Sequence, residues 1–76
     1  MALFAQEEKL TVSGYIKDHK NGEGIIGASV YVRELKTGTT ANTYGFYSLT
    51  LPKGNYSIVI SSVGYRKLTR EFKLTD

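Results

Sequence analysis

The alternation of apolar and hydroxyl side chains at residues 46–51 is the feature that most restricts how this chain can fold. Tyr47, Leu49 and Leu51 have one parity, and the residues between them carry hydroxyl groups. A period of two residues with one apolar face is typical of a half-buried β-strand. The pattern therefore predicts a strand in the middle of the chain, and we expect the other segments to cover its apolar face.

Turn residues separate further strand-like segments on both sides of this strand. No window has apolar residues at helical spacing over ten or more positions. Several short strands with regular turns are typical of an antiparallel sandwich or barrel. Together with residues 46–51, the predicted strands cover residues 9–17, 28–36, 39–42, 56–61 and 65–74.

Two of these strands have a clear inward face. Ala28, Val30 and Val32 share one parity, so we expect them in the core. In the first strand Gly14 interrupts an otherwise apolar face, and a strand glycine often marks a close approach by another group. We expect a large side chain from the facing sheet to lie over Gly14.

The size and charge of the chain limit its organisation. It has 76 residues, no cysteine and a net charge of +3. This length fits one domain, with roughly 4–11 kcal/mol of stability and no disulfide or thiolate metal site. No apolar run reaches the length of a membrane span. We interpret residues 1–8 as a residual signal or linker tail, which indicates export, and residues 9–76 as the domain.

Candidate catalytic and metal-binding groups are few. His19 is the single histidine, and it lies in a Gly/Asn-rich loop with nothing in the sequence to fix its tautomer. Asp18, Asn21 and Glu23 supply too few oxygens for a calcium site and match no EF-hand spacing, so we interpret them as a polar turn. The sequence predicts no catalytic, metal-binding or cofactor-binding residue, no cofactor and no enzymatic activity.

The densest basic stretch lies near the end of the chain. Arg66, Lys67, Arg70 and Lys73 divide between the two parities of the last strand, so they form no single stripe with aromatic residues. This arrangement indicates a solvated edge strand and no nucleic-acid partner.

Tyrosines supply the remaining candidates for binding. Tyr47 and Tyr56 fall on core faces, where we expect buried rings with hydroxyls at the rim. Tyr15 and Tyr31 fall on the opposite faces of their strands and predict an exposed aromatic patch. Such a patch binds sugars or proteins, although cross-strand packing is the commoner use.

Three segments in order resemble a known family. They are Ile-Ile-Gly-Ala-Ser-Val at residues 25–30, Gly-Thr at 38–39 with Gly-Phe-Tyr-Ser-Leu at 45–49, and Gly-Asn-Tyr-Ser-Ile at 54–58 with Ser-Ser-Val-Gly-Tyr at 61–65. The chain from residue 10 to 74 is similar to the carboxypeptidase-regulatory-like domain. The resemblance implies an antiparallel Greek-key, transthyretin-like β-sandwich of about six to seven strands. Ile25 and Asn42 stand where the family often has Pro and Asp, and Asn42 can make the same turn hydrogen bonds.

The version of the domain that ends in Ser-x-Val-Gly-Tyr resembles the N-terminal extension of TonB-dependent outer-membrane transporters of Bacteroidetes-type bacteria. This implies a non-catalytic accessory domain on the periplasmic face of the outer membrane, associated with the membrane only through the parent transporter. Its expected partners are proteins: the transporter's own plug and barrel, or a periplasmic energising protein, with a strand edge as the point of contact. The alternatives are a carbohydrate-binding or stalk module of a secreted protein and an accessory domain of a metallopeptidase.

Overall fold

The computed structural model describes residues 8–75, and every regular element among them is a β-strand. None of these residues forms a helix that could cross a membrane. The predicted tail at residues 1–8 lies outside the described residues, except for Glu8. The strands are β1 (Lys9–Tyr15), β2 (Ser29–Val32), β3 (Thr37–Thr40), β4 (Phe46–Pro52), β5 (Gly54–Ser61) and β6 (Leu68–Leu74).

The strands form two antiparallel layers of unequal width. One layer holds β1 and β4, with Leu10 opposite Leu51 and Val12 opposite Leu49. The other layer has four strands in the order β3-β2-β5-β6. This arrangement confirms the predicted all-β antiparallel sandwich with six strands, while its Greek-key, transthyretin-like detail stays a prediction.

The core lies between the two layers and follows the predicted alternation. Ala28, Val30 and Val32 are fully buried, as expected from their shared parity. Leu51 is 2% exposed, and Thr50 before it on the other parity faces solvent. The central cluster draws on both layers and comprises Val30, Val32, Leu49, Leu51, Tyr56 and Ile58.

Several predicted strand boundaries are wrong because turns take up more of the chain than the pattern indicated. The second strand ends at Val32, since residues 33–36 form a turn in which Lys36 has a positive φ of 50°. The third strand lies at Thr37–Thr40, and Asn42 belongs to the following turn. The last strand begins at Leu68, which leaves Tyr65 in a loop.

The expectation for Gly14 is half correct. A Cβ at this position would lie 3.2 Å from the Tyr47 hydroxyl oxygen, so a large side chain does cover the glycine. Tyr47 is the cross-strand partner of Gly14 on β4, in the same layer. The prediction that a side chain of the facing sheet lies over Gly14 is therefore wrong. Because Gly14 has no side chain, the ring of Tyr47 on the neighbouring strand can lie against its backbone.

The strand directions collect the longer loops at one end of the sandwich. The β1–β2, β3–β4 and β5–β6 connections, at residues 16–28, 41–45 and 62–67, all lie at this end. The shorter β2–β3 and β4–β5 turns lie at the other end. We call this end, formed by the three longer connections, the loop end.

Candidate interaction surface

Backbone hydrogen bonds hold the first two of the three connections of the loop end together. The Ile16 amide donates to the Gly45 carbonyl at 2.8 Å, and the Ile25 amide donates to the Ile16 carbonyl at 2.8 Å. The Gly27 amide donates to the Ala41 carbonyl at 3.0 Å. The first loop is therefore fixed to both layers, and the loop end is a preformed surface.

Two glycines allow these backbones to approach each other. Gly45 has a φ of +80°, and a Cβ added there would meet the Ile16 carbonyl oxygen and lie 2.9 Å from the Gly24 Cα. A Cβ on Gly24 would meet the Tyr44 carbonyl oxygen. Side chains at either position would push the first and second loops apart, which is the physical reason for glycine at both.

Asn42 makes the turn that feeds β4, as the sequence predicted. Its side-chain oxygen accepts hydrogen bonds from the amides of Tyr44 at 2.9 Å and Phe46 at 3.0 Å. The backbone of Asn42 also pairs with Phe46, and the Gly45 amide donates to the Asn42 carbonyl. An Asx-type turn of this kind satisfies the amides that the tight loop leaves without ladder partners.

The first and third loops are joined by a side-chain contact between Asp18 and Tyr65. The Tyr65 hydroxyl donates to Asp18 Oδ2 at 2.8 Å, while Asp18 Oδ1 accepts from the Lys20 amide at 2.7 Å. The Tyr65 hydrogen bond, then the Lys20 amide, lower the pKa of Asp18 below its ordinary value. The same hydrogen bond raises the pKa of Tyr65. Tyr65 thus connects the third loop to the first.

Exposed apolar side chains are concentrated at the loop end. Among the described residues eight large hydrophobic side chains are exposed, and six of them lie on or beside the three loops. Val63, at the tip of the third loop, is 99% exposed, and Tyr44 is 75% exposed. Apolar side chains grouped on one surface are typical of a protein-binding site. The six are Tyr15, Ile26, Tyr44, Val63, Tyr65 and Leu68.

The charges around this apolar surface are mainly positive. The three loops carry four Lys or Arg residues against two carboxylates, and one of the two, Asp18, is already bound to Tyr65. The Lys17 ammonium lies 5.6 Å from the centroid of the Tyr15 ring, so one of these cations is next to an exposed aromatic side chain. The loop end therefore favours a partner that is apolar at its centre and acidic at its edge.

The structure places the candidates for chemistry named from the sequence together in the first loop. No group of three or more His, Cys, Asp or Glu side chains within residues 8–75 is arranged to hold a metal ion. Asp18 and Asn21 accept hydrogen bonds from nearby backbone amides, as a polar turn requires. His19 is exposed, and within the described part of the chain no hydrogen bond orients it.

The predicted aromatic patch of Tyr15 and Tyr31 is wrong. Tyr15 lies on the two-stranded layer, where its ring packs edge-on against Phe46 with centroids 5.2 Å apart. Tyr31 lies on the outer face of β2 in the other layer. The two rings are on opposite sides of the sandwich, because parity alone does not tell which layer a strand joins.

The basic stretch is only partly on an edge strand: Arg70 and Lys73 lie on β6, as predicted, whereas Arg66 and Lys67 lie in the loop before it. β6 is the last strand of the four-stranded layer, and its first four residues are exposed.

Of the two tyrosines expected in the core, Tyr56 is buried and Tyr47 is half-buried against the core cluster. Tyr56 is 6% exposed, and its hydroxyl donates to the Pro52 carbonyl.

Sequence reasoning missed the loop end as a surface. The signal was present in the loop that follows β5, where Val63 is an apolar residue between polar and glycine neighbours. A large apolar residue in a turn has no strand face to enter, so exposure was the natural expectation.

Comparison with known proteins agrees with the resemblance read from the motifs. The family model for the CarboxypepD_reg-like domain matches residues 12–76. The TonB-dependent receptor SusC of Bacteroides thetaiotaomicron is 36% identical over 66 residues, which is 87% of this chain and 6% of the receptor. Carboxypeptidase D of Homo sapiens is 31% identical over 67 residues, or 88% of this chain and 5% of that protein.

This chain thus spans only a small part of the length of these relatives. The matched residues nevertheless cover nearly all of this chain's own sandwich. No solved structure gives a significant match. The domain occurs both in a TonB-dependent receptor and in a carboxypeptidase, so the fold is common to different parent proteins. From its matched length and its sandwich architecture, the chain belongs to the CarboxypepD_reg-like domain family.

Proposed function

We propose that this chain is a non-catalytic accessory domain at the N-terminus of a TonB-dependent outer-membrane nutrient transporter. In this proposal residues 9–76 form the folded domain, and residues 1–8 are the remnant of an export signal or linker. The domain lies on the periplasmic face of the outer membrane, where it contacts the plug and barrel of its own transporter or a periplasmic energising protein. The observation that carries the proposal is the similarity to SusC across 66 residues.

The loop end supplies a suitable contact surface for such a role. Backbone hydrogen bonds join its first two loops, and the Tyr65 hydroxyl joins the third loop to the first through Asp18, so binding costs little ordering of the domain. Its exposed side chains include Val63, Tyr65 and Ile26. Aromatic and aliphatic side chains at the centre of a basic rim are typical of a protein-binding site.

The absence of catalysis is part of the proposal. General acid–base chemistry needs a group held within hydrogen-bonding reach of a second group or of the substrate. His19 and Glu23 are solvent-exposed, and Asp18, which is half-buried, already accepts hydrogen bonds from the Lys20 amide and the Tyr65 hydroxyl. These features support a domain that acts by binding other proteins.

A second candidate is an accessory domain of a metallopeptidase, favoured by the 31% identity to human carboxypeptidase D. The sequence of the natural polypeptide beyond this domain separates the two. A plug with many barrel strands supports the transporter, and a catalytic zinc motif supports the peptidase. A carbohydrate-binding or stalk module is less favoured, because Tyr15 and Tyr31 lie on opposite sides of the sandwich.

The direct experiment is an NMR titration of the isotope-labelled domain with the transporter's plug and, separately, with the periplasmic energising protein. We expect amide shifts confined to residues 16–28, 41–45 and 62–67 with at least one of the two. An absence of shifts with both partners would contradict the proposal. Shifts spread over the outer face of β2 would place the contact elsewhere on the domain.

A further inference from the structure

A groove of about 690 Å³ crosses the loop end between the first and third loops. Ile26 of the first loop forms one wall, and Val63 and Tyr65 of the third loop form the other. All three of these side chains are exposed. The groove therefore holds half of the exposed large hydrophobic side chains that lie on or beside the three loops.

The floor of this groove carries a row of polar groups on the outer face of the four-stranded layer. Ser29 on β2 is the cross-strand partner of Ser61 on β5, and both have the parity opposite to the core residues of their strands. Lys67 directly precedes Leu68, which is the partner of Ile60, so Lys67 continues the row beside Ser61. Side chains directly opposite each other have Cβ atoms about 4.5–5.5 Å apart, so one bound group can contact two of them.

The polar groups of this row have no partners within residues 8–75. No ion pair or hydrogen bond among these residues engages the side chains of Ser29, Ser61 or Lys67. None of the described residues that line the groove carries a carboxylate. A hydroxyl donates one hydrogen bond and an ammonium donates three, so the row offers mainly donors and one positive charge. A carboxylate is the group that accepts from both kinds of donor and neutralises the lysine.

Both walls of the groove are fixed before anything binds. The Gly27 amide donates to the Ala41 carbonyl at 3.0 Å and holds the wall that contains Ile26. In the opposite wall the Tyr65 amide donates to the Ser62 carbonyl at 3.1 Å, and the Tyr65 hydroxyl donates to Asp18 Oδ2 at 2.8 Å. A ligand with matching spacing between its apolar and acidic groups therefore binds with little ordering of the loops.

We infer that the groove binds an extended protein segment in which a large apolar residue lies two positions from an aspartate or glutamate. Residues two positions apart in an extended chain point to the same side, so both side chains enter the groove. The apolar side chain packs between Ile26 and Val63, and the carboxylate accepts hydrogen bonds from Ser61 and Lys67. The inference rests on the proposed function, which makes the partners proteins, and it adds the chemistry of the segment that is bound.

The lining favours such a segment over a neutral sugar. The described residues of the groove include no carboxylate and no amide side chain, which leaves the hydroxyls of a sugar only the serines as side-chain acceptors on the floor. A neutral ligand would also cover Lys67 without supplying a counter-charge, which costs free energy. An acidic segment avoids both losses.

Selection of short random-sequence peptides displayed on phage tests the inference without assuming any partner. The whole 76-residue chain is the target, and the enriched peptides are synthesised for binding measurements. We expect a consensus with a large apolar residue two positions from Asp or Glu, and NMR shifts confined to residues 26–29 and 61–67. A consensus without an acidic residue, or no enrichment at all, would overturn the inference. Binding to neutral glycans on an array in place of peptides would overturn it as well.

A matched pair of lysine variants tests the role of charge. Lys67→Met keeps the apolar stem of the side chain and should weaken binding of the selected peptide about fivefold. The remaining affinity should depend less on salt, because the ion pair is lost. Lys73→Met makes the same change at the other end of β6, opposite Asn55, and should alter neither quantity. Equal effects of the two variants would contradict the assigned position of the carboxylate.

The bound peptide supplies a second control. Replacement of its acidic residue by the corresponding amide should weaken binding to the unaltered chain and have little further effect on the Lys67→Met variant, because the two changes remove the same interaction. Additive losses would overturn the pairing of this residue with Lys67.

The inference and the proposed function fail on different results. If the selected peptides bind as expected but the plug and the energising protein do not bind, the proposed function is contradicted and the chemistry of the groove stands. If the plug or the energising protein binds with unchanged affinity to the Lys67→Met variant and shifts only residues outside the groove, the proposed function stands and the inference is overturned.

Discussion

Leu51→Ala is the substitution that tests the packing of the two layers most severely. Leu51 is 2% exposed and belongs to β4, so its side chain reaches from the smaller layer into the centre of the core. The change removes about three buried carbon groups, which at about 0.8 kcal/mol each gives a transfer loss of about 2.4 kcal/mol. The cavity left behind raises the expected loss to about 3–5 kcal/mol.

This loss is large for so small a domain. A chain of this length has roughly 4–11 kcal/mol of stability, so Leu51→Ala removes a third or more of it in the middle of that range. At about 4–8 °C per kcal/mol, we expect the unfolding midpoint to fall by about 12 °C or more. Urea and thermal unfolding followed by far-ultraviolet circular dichroism measure both quantities.

Thr50→Ala is the matched control on the same strand. Thr50 is exposed, and its hydroxyl lies 3.1 Å from the hydroxyl of Thr11 on the outer face of the layer. Removal of one exposed hydrogen bond should cost at most about 1 kcal/mol. Equal midpoints for the Leu51 and Thr50 variants would refute the assigned inward face of β4 and, with it, the alternation from which the fold is argued.

Three further substitutions, two of them with a control variant, test the loop end. Gly45→Ala should destabilise the domain by about 2 kcal/mol or more in urea unfolding, because the added Cβ would collide with backbone atoms of the first loop. Gly22→Ala is the control: Gly22 also has a positive φ, but an added Cβ there would contact no other atom, so the substitution should cost about 1 kcal/mol. Tyr65→Phe should raise the pKa of Asp18 towards its ordinary value in an NMR pH titration. Because the folded-state pKa of Asp18 is lowered, its contribution to stability is present at neutral pH and is lost as acid protonates it; the Phe variant should lose less stability in that acidic range. Asn42→Ala should cost about 1–2 kcal/mol in thermal unfolding, while Asn42→Asp, which keeps the accepting oxygen, should stay close to wild type.

The local structure of the chain was accessible from its sequence because it depends on near neighbours. The period of two placed Val30, Val32 and Leu51 in the core, and the structure agrees at each position. The turn at Asn42 was also predictable, since an Asx turn needs only the side chain and the next few amides.

The arrangement of the layers was not accessible in the same way. Parity gives the two faces of a strand, but it does not say which strands are neighbours. Gly14 was expected to lie under a side chain of the opposite sheet, and it lies beside Tyr47 of its own sheet. Tyr15 and Tyr31 were placed in one patch for the same reason, and they belong to different layers.

The candidate surface depends on contacts between residues that are distant in sequence. Asp18 and Tyr65 are 47 positions apart, and their hydrogen bond joins the first loop to the third. Strand directions then bring the apolar residues of three separate loops to one end. No local pattern contains that information, although the isolated Val63 in a polar loop was a usable signal.

The most direct test of the proposed binding surface compares Val63→Asp with Tyr31→Asp in binding to the plug of the proposed parent transporter and to the periplasmic energising protein. Both residues are exposed, but Val63 lies at the tip of the loop end and Tyr31 on the outer face of β2. We predict that Val63→Asp weakens the affinity for the bound partner at least about tenfold, equivalent to about 1.4 kcal/mol, and that Tyr31→Asp leaves it unchanged. Unchanged affinity in the Val63 variant, or equal loss in both, would contradict the assignment of the loop end as the surface through which this domain acts.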